Sequence, residues 1–209
     1  MIVLLALFCL SMATWAARDP HFLLISNVTM MVCIPLLGGA PFQMFGHTST
    51  VGNIFFAAAV YGLALEYQLY GPAAAHAAVR NILFGLGIVF GAILLLNQYK
   101  VNALFQIPSR MIAASFISFW FVQSLFIHTI EKYMPDSAHA VPRILLATIL
   151  MHTIGTAIFF PGTFYGLLSN DQLLKFAIVG WVTKFAFVVF SYPFMVFSFW
   201  FFRHRPEQQ

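Results

Sequence analysis

The chain has 209 residues, of which 61% are hydrophobic and 8% charged, and its mean hydropathy is +0.89. A water-soluble domain carries roughly a quarter charged residues, so soluble, secreted and disordered readings are excluded. At roughly 20 residues per span the length holds about six or seven membrane helices and leaves almost nothing for an extramembrane domain.

The net charge is +4 and the isoelectric point about 9.3. Lys and Arg are scattered singly with no aromatic-basic strip beside them, which argues against nucleic acid as a partner and suits the cytoplasmic loops of a membrane protein. Cys9 and Cys33 lie inside apolar runs with no CxxC spacing and read as small core residues.

The runs follow one another with short breaks. Met1 to Ala17 lacks a basic leading segment and a small-x-small cleavage site, so it reads as a retained helix ended by Arg18-Asp19-Pro20. The second run stops at the Pro35, Gly38, Gly39, Pro41 cluster. Val51 to Tyr70 forms the third and ends at Gly71-Pro72, the strongest turn dipeptide in the chain. The fourth, Ala77 to Leu96, gives way to Asn97-Gln98-Tyr99-Lys100. The fifth runs from Pro108 to Glu131-Lys132, and a polar loop from Met134 to Ala140 follows. Pro142 opens the sixth, which reaches Leu168; Asn170-Asp171 caps the seventh, which ends at Arg203-His204-Arg205.

These runs are continuously apolar and lack the period-two alternation of a membrane barrel. The fold class is therefore an all-α membrane protein. Arg18, Arg80, Lys132, Arg143, Arg203 and Arg205 collect on one side, and Lys100, Arg110 and Lys175 on the other. The richer side is expected to be cytoplasmic, with the C-terminus on it.

Polar residues deep in apolar runs need a partner or a function, because a lone ionisable group at mid-bilayer costs about 2.5–3.5 kcal/mol. Lys184 is central in the last helix, with Trp181 and Ser191 at spacings that share its face. His152 is flanked by Thr148 and Thr156 four residues to either side, a single polar stripe. Gln123 has Ser115 two turns earlier on its face. A convergent Gln, His and Lys set favours a ligand site, against which stands the plainer reading of interhelical hydrogen bonds worth about 0.6 kcal/mol each. Asn53 sits where a carboxamide can cap a helix or touch a ligand. Glu66 lies near the end of its run, where it is expected to reach the headgroups, and Arg110 is expected at the interface. The remaining histidines share no face, so no metal is expected; nor is any cofactor, for the many Phe residues read as core or lipid-facing. No GxSxG, HExxH, Walker loop or carboxylate pair occurs, so an enzyme is not expected.

Several of these residues, taken together, resemble a known family. Gly52-Asn53-Ile54-Phe55-Phe56 running to Leu69-Tyr70-Gly71-Pro72-Ala73-Ala74-Ala75-His76 resembles a helix of the queuosine precursor transporters, a family of vitamin-uptake-like carriers. Further matches follow in order: Pro108-Ser109-Arg110-Met111-Ile112-Ala113-Ala114-Ser115-Phe116 with Gln123, then Thr156-Ala157-Ile158-Phe159-Phe160, then Lys184 with Tyr192-Pro193-Phe194, while Ser26-Asn27 resembles a Ser-Asn pair in the family's first helix. The resemblance implies a six-helix core over 22–205, similar in plan to the substrate-binding subunits of vitamin importers, with the 1–17 helix additional to it. It also implies uptake, across the inner (plasma) membrane, of a 7-deazaguanine-type queuosine precursor or queuine. Where the family carries acids in three helices, this chain has Ala64, Phe126 and Gly155, and His152 replaces an amide.

The expected site is thus Asn53, Gln123, His152, Lys184, Trp181 and Arg110, binding a planar heterocycle that stacks on Trp120 or Trp181. Two rival readings remain at this level: a non-transporting membrane subunit or scaffold, and a seven-helix retinal photoreceptor with Lys184 as the Schiff-base lysine.

Overall fold

The computed structural model describes residues 20–37, 41–44, 47–98, 109–133 and 140–203; the expected 1–17 helix lies outside them. In chain order they form α1 (Pro20–Leu37), a hairpin of β1 (Pro41–Met44) and β2 (His47–Thr50), α2 (Val51–Gln98), α3 (Ser109–Tyr133), α4 (Ala140–Phe164) and α5 (Asn170–Arg203). Four of these helices contain stretches long and apolar enough to cross a membrane: Val51–Leu96, Arg110–Lys132, Pro142–Phe164 and Asn170–Phe197.

The six expected core runs are therefore five helices among the described residues. The third and fourth runs join end to end in α2, which is broken at one residue: Gly71 has φ 83° and ψ −179°, outside the helical region. Only glycine holds that conformation without strain. Pro72 then starts the second arm, where its missing N–H costs nothing. The arms comprise residues 51–70 and 72–98, and the second begins five residues earlier than the sequence suggests.

The first arm is the axis of the fold. Every residue from 57 to 66 is buried, whichever way its side chain points. Ala57, Ala58, Ala59, Gly62 and Ala64 keep its surface small, which allows neighbouring helices to approach closely. A Cβ on Gly62 would overlap the carboxamide of Asn27 from α1. Around this axis the core is filled by Leu23, Tyr61, Phe126, Ile127, Met151, Phe187 and Met195.

Helix ends meet as alternating spans require. Arg110, opening α3, donates from Nε to the Gly162 carbonyl near the end of α4 at 2.7 Å. At the opposite ends, His76 pairs with Glu131 at 3.0 Å. The α4–α5 turn uses Gly166 at φ 79°, and Ser169 with Gln172 forms a reciprocal capping box: Ser169 N–H donates to Gln172 Oε1 at 3.1 Å and Gln172 N–H to Ser169 Oγ at 3.3 Å. The cap of the last helix is thus Ser169, one residue before the expected Asn170-Asp171. The preceding helix stops at Phe164 and does not reach Leu168.

The hairpin is an addition to the sequence reading, which expected only a break there. β1 and β2 pair antiparallel, Pro41 opposite Thr50 and Met44 opposite His47. Ser49 is buried and shares a 2.8 Å hydrogen bond with Thr183 of α5. The Phe164 and Phe176 rings, 6.2 Å apart, set the level at which α4 ends. Thr183 is seven residues further along α5, about 10 Å deeper at 1.5 Å per residue. Ser49 therefore brings the end of the hairpin to a level inside the bundle, where non-helical backbone is tolerated when protein covers it.

Replacing Gly71 by alanine forces a Cβ-bearing residue into a glycine-only conformation, at an expected cost of about 1–3 kcal/mol. Thermal unfolding in detergent measures this: a lowered midpoint is expected, and an unchanged midpoint contradicts the break.

Candidate functional site

The deep polar residues converge on the first arm of α2. Lys184, on α5, is 3% exposed, and its Nζ donates to Thr156 Oγ1 of α4 at 3.1 Å. The same Nζ lies 4.8 Å from the centre of the Phe56 ring and 5.9 Å from that of Phe160. Aromatic faces attract an ammonium, by about 2 kcal/mol when water is excluded. Ion pairs elsewhere among the described residues, His76–Glu131 and Lys175–Asp171, are at exposed positions, and no carboxylate touches Lys184.

Phe56 links the amine to the imidazole. Its ring centroid is 5.6 Å from that of His152 and 5.3 Å from that of Phe119 on α3. His152 is 1% exposed and Gln123, one turn beyond Phe119, is 0% exposed. Neither ring nitrogen of His152 and neither amide atom of Gln123 has a hydrogen-bond partner among the described residues. Of the three donors an ammonium offers, Thr156 takes one.

That combination is energetically unusual. More than nine-tenths of buried polar groups in folded proteins are hydrogen-bonded, and a buried group left without a bond costs about 1–3 kcal/mol. Interhelical bonding does not account for His152 and Gln123, since neither makes such a bond. It does account for Ser118, whose Oγ donates to the Gly155 carbonyl of α4 at 3.1 Å, while Thr148 Oγ1 is satisfied within its own helix by the Ile144 carbonyl at 2.7 Å. Ser118, and not the half-buried Ser115, is thus the hydroxyl of α3 that seats the α3–α4 contact.

Asn53 lies at the hairpin side of the cluster. Its Nδ2 donates to Thr50 Oγ1 at 3.2 Å and to Ser49 Oγ at 3.4 Å, tying the start of α2 to the hairpin. A Cβ on Gly180 would stand 2.5 Å from Phe160 Cζ and 3.4 Å from Asn53 Nδ2, so this glycine admits both side chains against α5.

Two of the six expected residues stand apart. Arg110 is exposed and engaged with Gly162, a tie between helix ends. Trp181 is half-buried: its indole N–H donates to the exposed Thr153 at 2.8 Å, and its ring stacks on Phe185 at 5.2 Å, on the outer side of the α4–α5 seam. Three residues along a helix leave it about 60° from Lys184, enough to turn a ring outward. Trp120 is 54% exposed and faces away from the cluster, so neither tryptophan supplies the expected stacking surface. The rings beside the Lys184 amine are instead those of Phe56 and Phe160; no sequence signal separates them from the rest of the chain's 25 phenylalanines. Glu66, expected near the end of its run, is enclosed by protein at 4% exposure. No group of three His, Cys, Asp or Glu side chains that could hold a metal occurs among the described residues.

Long apolar helices closed around a buried amine, imidazole and carboxamide define a multi-pass membrane protein with a polar interior. Residues 50–198 match the family model described as "Putative vitamin uptake transporter". A curated relative from Bacillus subtilis (strain 168), described as "Probable queuosine precursor transporter", is 26% identical over 176 residues, 78% of this chain and 77% of its own. No solved structure matches the chain. The chain belongs to this family of vitamin-uptake transporters; it is a membrane transporter and not an enzyme.

The tight seat at Gly180 yields a stability test. Gly180→Ala drives a methyl into Phe160 and is expected to destabilise by about 1–3 kcal/mol, the usual cost of overpacking. Gly87→Ala, whose Cβ meets nothing within 4 Å, serves as the control. Equal unfolding midpoints for the two variants contradict the packing described.

Proposed function

We propose that the chain imports a small planar heterocycle, a 7-deazaguanine-type precursor of queuosine or queuine itself, through the cluster of Asn53, Gln123, His152 and Lys184. The observation that carries this reading is the pair of fully buried, unpartnered groups, Gln123 and His152, beside an amine with two donors to spare. A neutral imidazole presents one donor and one acceptor, and a carboxamide presents two donors and a carbonyl oxygen. Their complement is a flat molecule with alternating donors and acceptors along its edge. Lys184 suits a ring carbonyl oxygen, and the faces of Phe56 and Phe160 suit a stacked ring. The name given to the Bacillus relative favours the same substrate class.

In this reading the two arms of α2 cross the membrane separately. A stretch of 46 residues is about 69 Å of helix, more than twice the roughly 30 Å of hydrocarbon. Together with α1, α3, α4 and α5 this makes six spans, with residues 1–17 as a further one. The membrane is the inner (plasma) membrane and the C-terminus is cytoplasmic, by the excess of Lys and Arg on that side, at Arg80 past the Gly71 break and at the ends of α3, α4 and α5.

The loss of the family's acids at Ala64, Phe126 and Gly155 favours a second reading, a membrane subunit that no longer transports. The photoreceptor reading has less support: a protonated Schiff base at Lys184 needs a carboxylate counter-ion, and Glu66 is ten residues from Phe56, about 15 Å along α2.

Queuosine in tRNA tests the proposal. A host unable to make or import the precursors is given this chain and fed 7-cyano-7-deazaguanine, 7-aminomethyl-7-deazaguanine or queuine at low concentration. Wild type is expected to restore the modification, and Lys184→Ala and Gln123→Ala to lower the initial uptake rate at least tenfold. No restoration by well-inserted protein supports the non-transporting reading.

A further inference from the structure

A second buried polar site lies away from the Lys184 cluster. Glu66 is a carboxylic acid within the all-round buried stretch of α2, and its Oε2 has no hydrogen-bond partner among the described residues. One turn earlier, on the same side of the helix, Gly62 faces Asn27 of α1. Asn27 is 0% exposed, and neither atom of its carboxamide is bonded among the described residues. Both carboxamide atoms of the neighbouring Gln68 are likewise buried and unpartnered there. An acid and an amide thus lie along the α1–α2 seam near the Gly71 break. Glu66 stands about 15 Å along the first arm from Phe56 and the amine above it.

We propose that Glu66 is the coupling site of the transporter, binding one proton per transport cycle, with Asn27 as the hydrogen-bonding partner of its carboxyl group. In the outward-open state a proton from water adds to the carboxylate and gives a neutral carboxylic acid; in the inward-open state the same proton leaves to water, and the carboxylate is regenerated. No other group changes its proton count. A protonated carboxyl needs one acceptor and one donor, which a carboxamide supplies through its oxygen and its NH₂. Removing charge from the acid also suits a residue that must move through hydrocarbon.

The titratable and charged groups on the elements packed around the first arm lie toward the same end of the bundle, the one proposed above as cytoplasmic. They are His21 on α1, Tyr67 and Tyr70 on the first arm, His76 and Arg80 on the second, Glu131 and Lys132 on α3, Arg143 on α4 and Tyr192 on α5. His76 and Glu131 are engaged with each other. Titration of these groups is separated from that of Glu66 by comparing variants at Glu66 and Asn27 alone.

This inference rests on the transport reading, and the experiment separates the two. Purified protein in liposomes is given labelled 7-aminomethyl-7-deazaguanine, and two quantities are read: exchange at equilibrium, and accumulation under an inward proton gradient. Wild type is expected to do both. Glu66→Gln is expected to keep exchange and lose accumulation altogether. Accumulation by Glu66→Gln equal to wild type, or wild-type accumulation driven by sodium in place of protons, overturns the proposal and leaves the substrate site standing. If wild type neither exchanges nor accumulates, the transport reading fails, and infrared difference spectra on a pH step decide the rest. A carboxyl band lost in Glu66→Gln, with its titration midpoint displaced in Asn27→Ala, supports a proton site at Glu66. An identical band in all three proteins overturns it.

Discussion

Everything in this molecule turns on a primary amine held in the middle of a helix that has to lie in hydrocarbon. Lys184 cannot be left bare there, and the chain provides no carboxylate against it among the described residues. It is given one hydroxyl and two aromatic faces instead, from Thr156, Phe56 and Phe160. That solution stabilises the amine without consuming its remaining donors, so it keeps the ability to bind something else. A carboxylate partner would have held the amine more firmly and made it less available. The arrangement of the other helices follows from delivering those three groups to one place.

The delivery depends on a central helix with almost no side-chain bulk. Because the first arm of α2 is rich in alanine and has glycine at position 62, α1, α3, α4 and α5 can all approach it, and every one of them can present a face to Phe56 or to its neighbours. Between lipid-like side chains there is little hydrophobic drive for helices to associate, so close packing and hydrogen bonds have to do it. Ser118 on the Gly155 carbonyl, Arg110 on the Gly162 carbonyl and Ser49 with Thr183 are among the bonds that do so here. The break at Gly71 turns one long apolar stretch into two arms, and leaves Glu66 enclosed a turn and a half before the bend.

The sequence was most legible where polarity or backbone chemistry contrasts with its surroundings. Gly71-Pro72 announced the break, and Lys184, His152 and Gln123 stood out as polar residues in apolar runs; the structure buries all three. It was least legible where only the direction of a side chain decides. In a membrane bundle the lipid-facing and core-facing sides of a helix are both apolar, so periodicity does not say which phenylalanine lies beneath the lysine. For the same reason Ser118 gave no sign of its bond to α4, and Trp181 was assigned to the Lys184 face although its ring turns outward to Phe185. The burial of Glu66 was not legible because distance from the end of a run does not report what packs around it. The hairpin escaped notice because four-residue strands with a polar second strand carry no alternation of apolar and polar residues.

The central claim is that the unpartnered groups around Phe56 form a binding site, and ligand-induced stabilisation of the purified protein tests it most directly. A ligand bound only by the folded state stabilises by about 2.7 kcal/mol at a hundred times its dissociation constant. The account predicts that 7-aminomethyl-7-deazaguanine or queuine raises the unfolding midpoint of wild type in a concentration-dependent way, and that the rise disappears in the Gln123→Ala, Lys184→Ala double variant. A midpoint that no deazapurine moves, or one that the double variant raises equally, would contradict it.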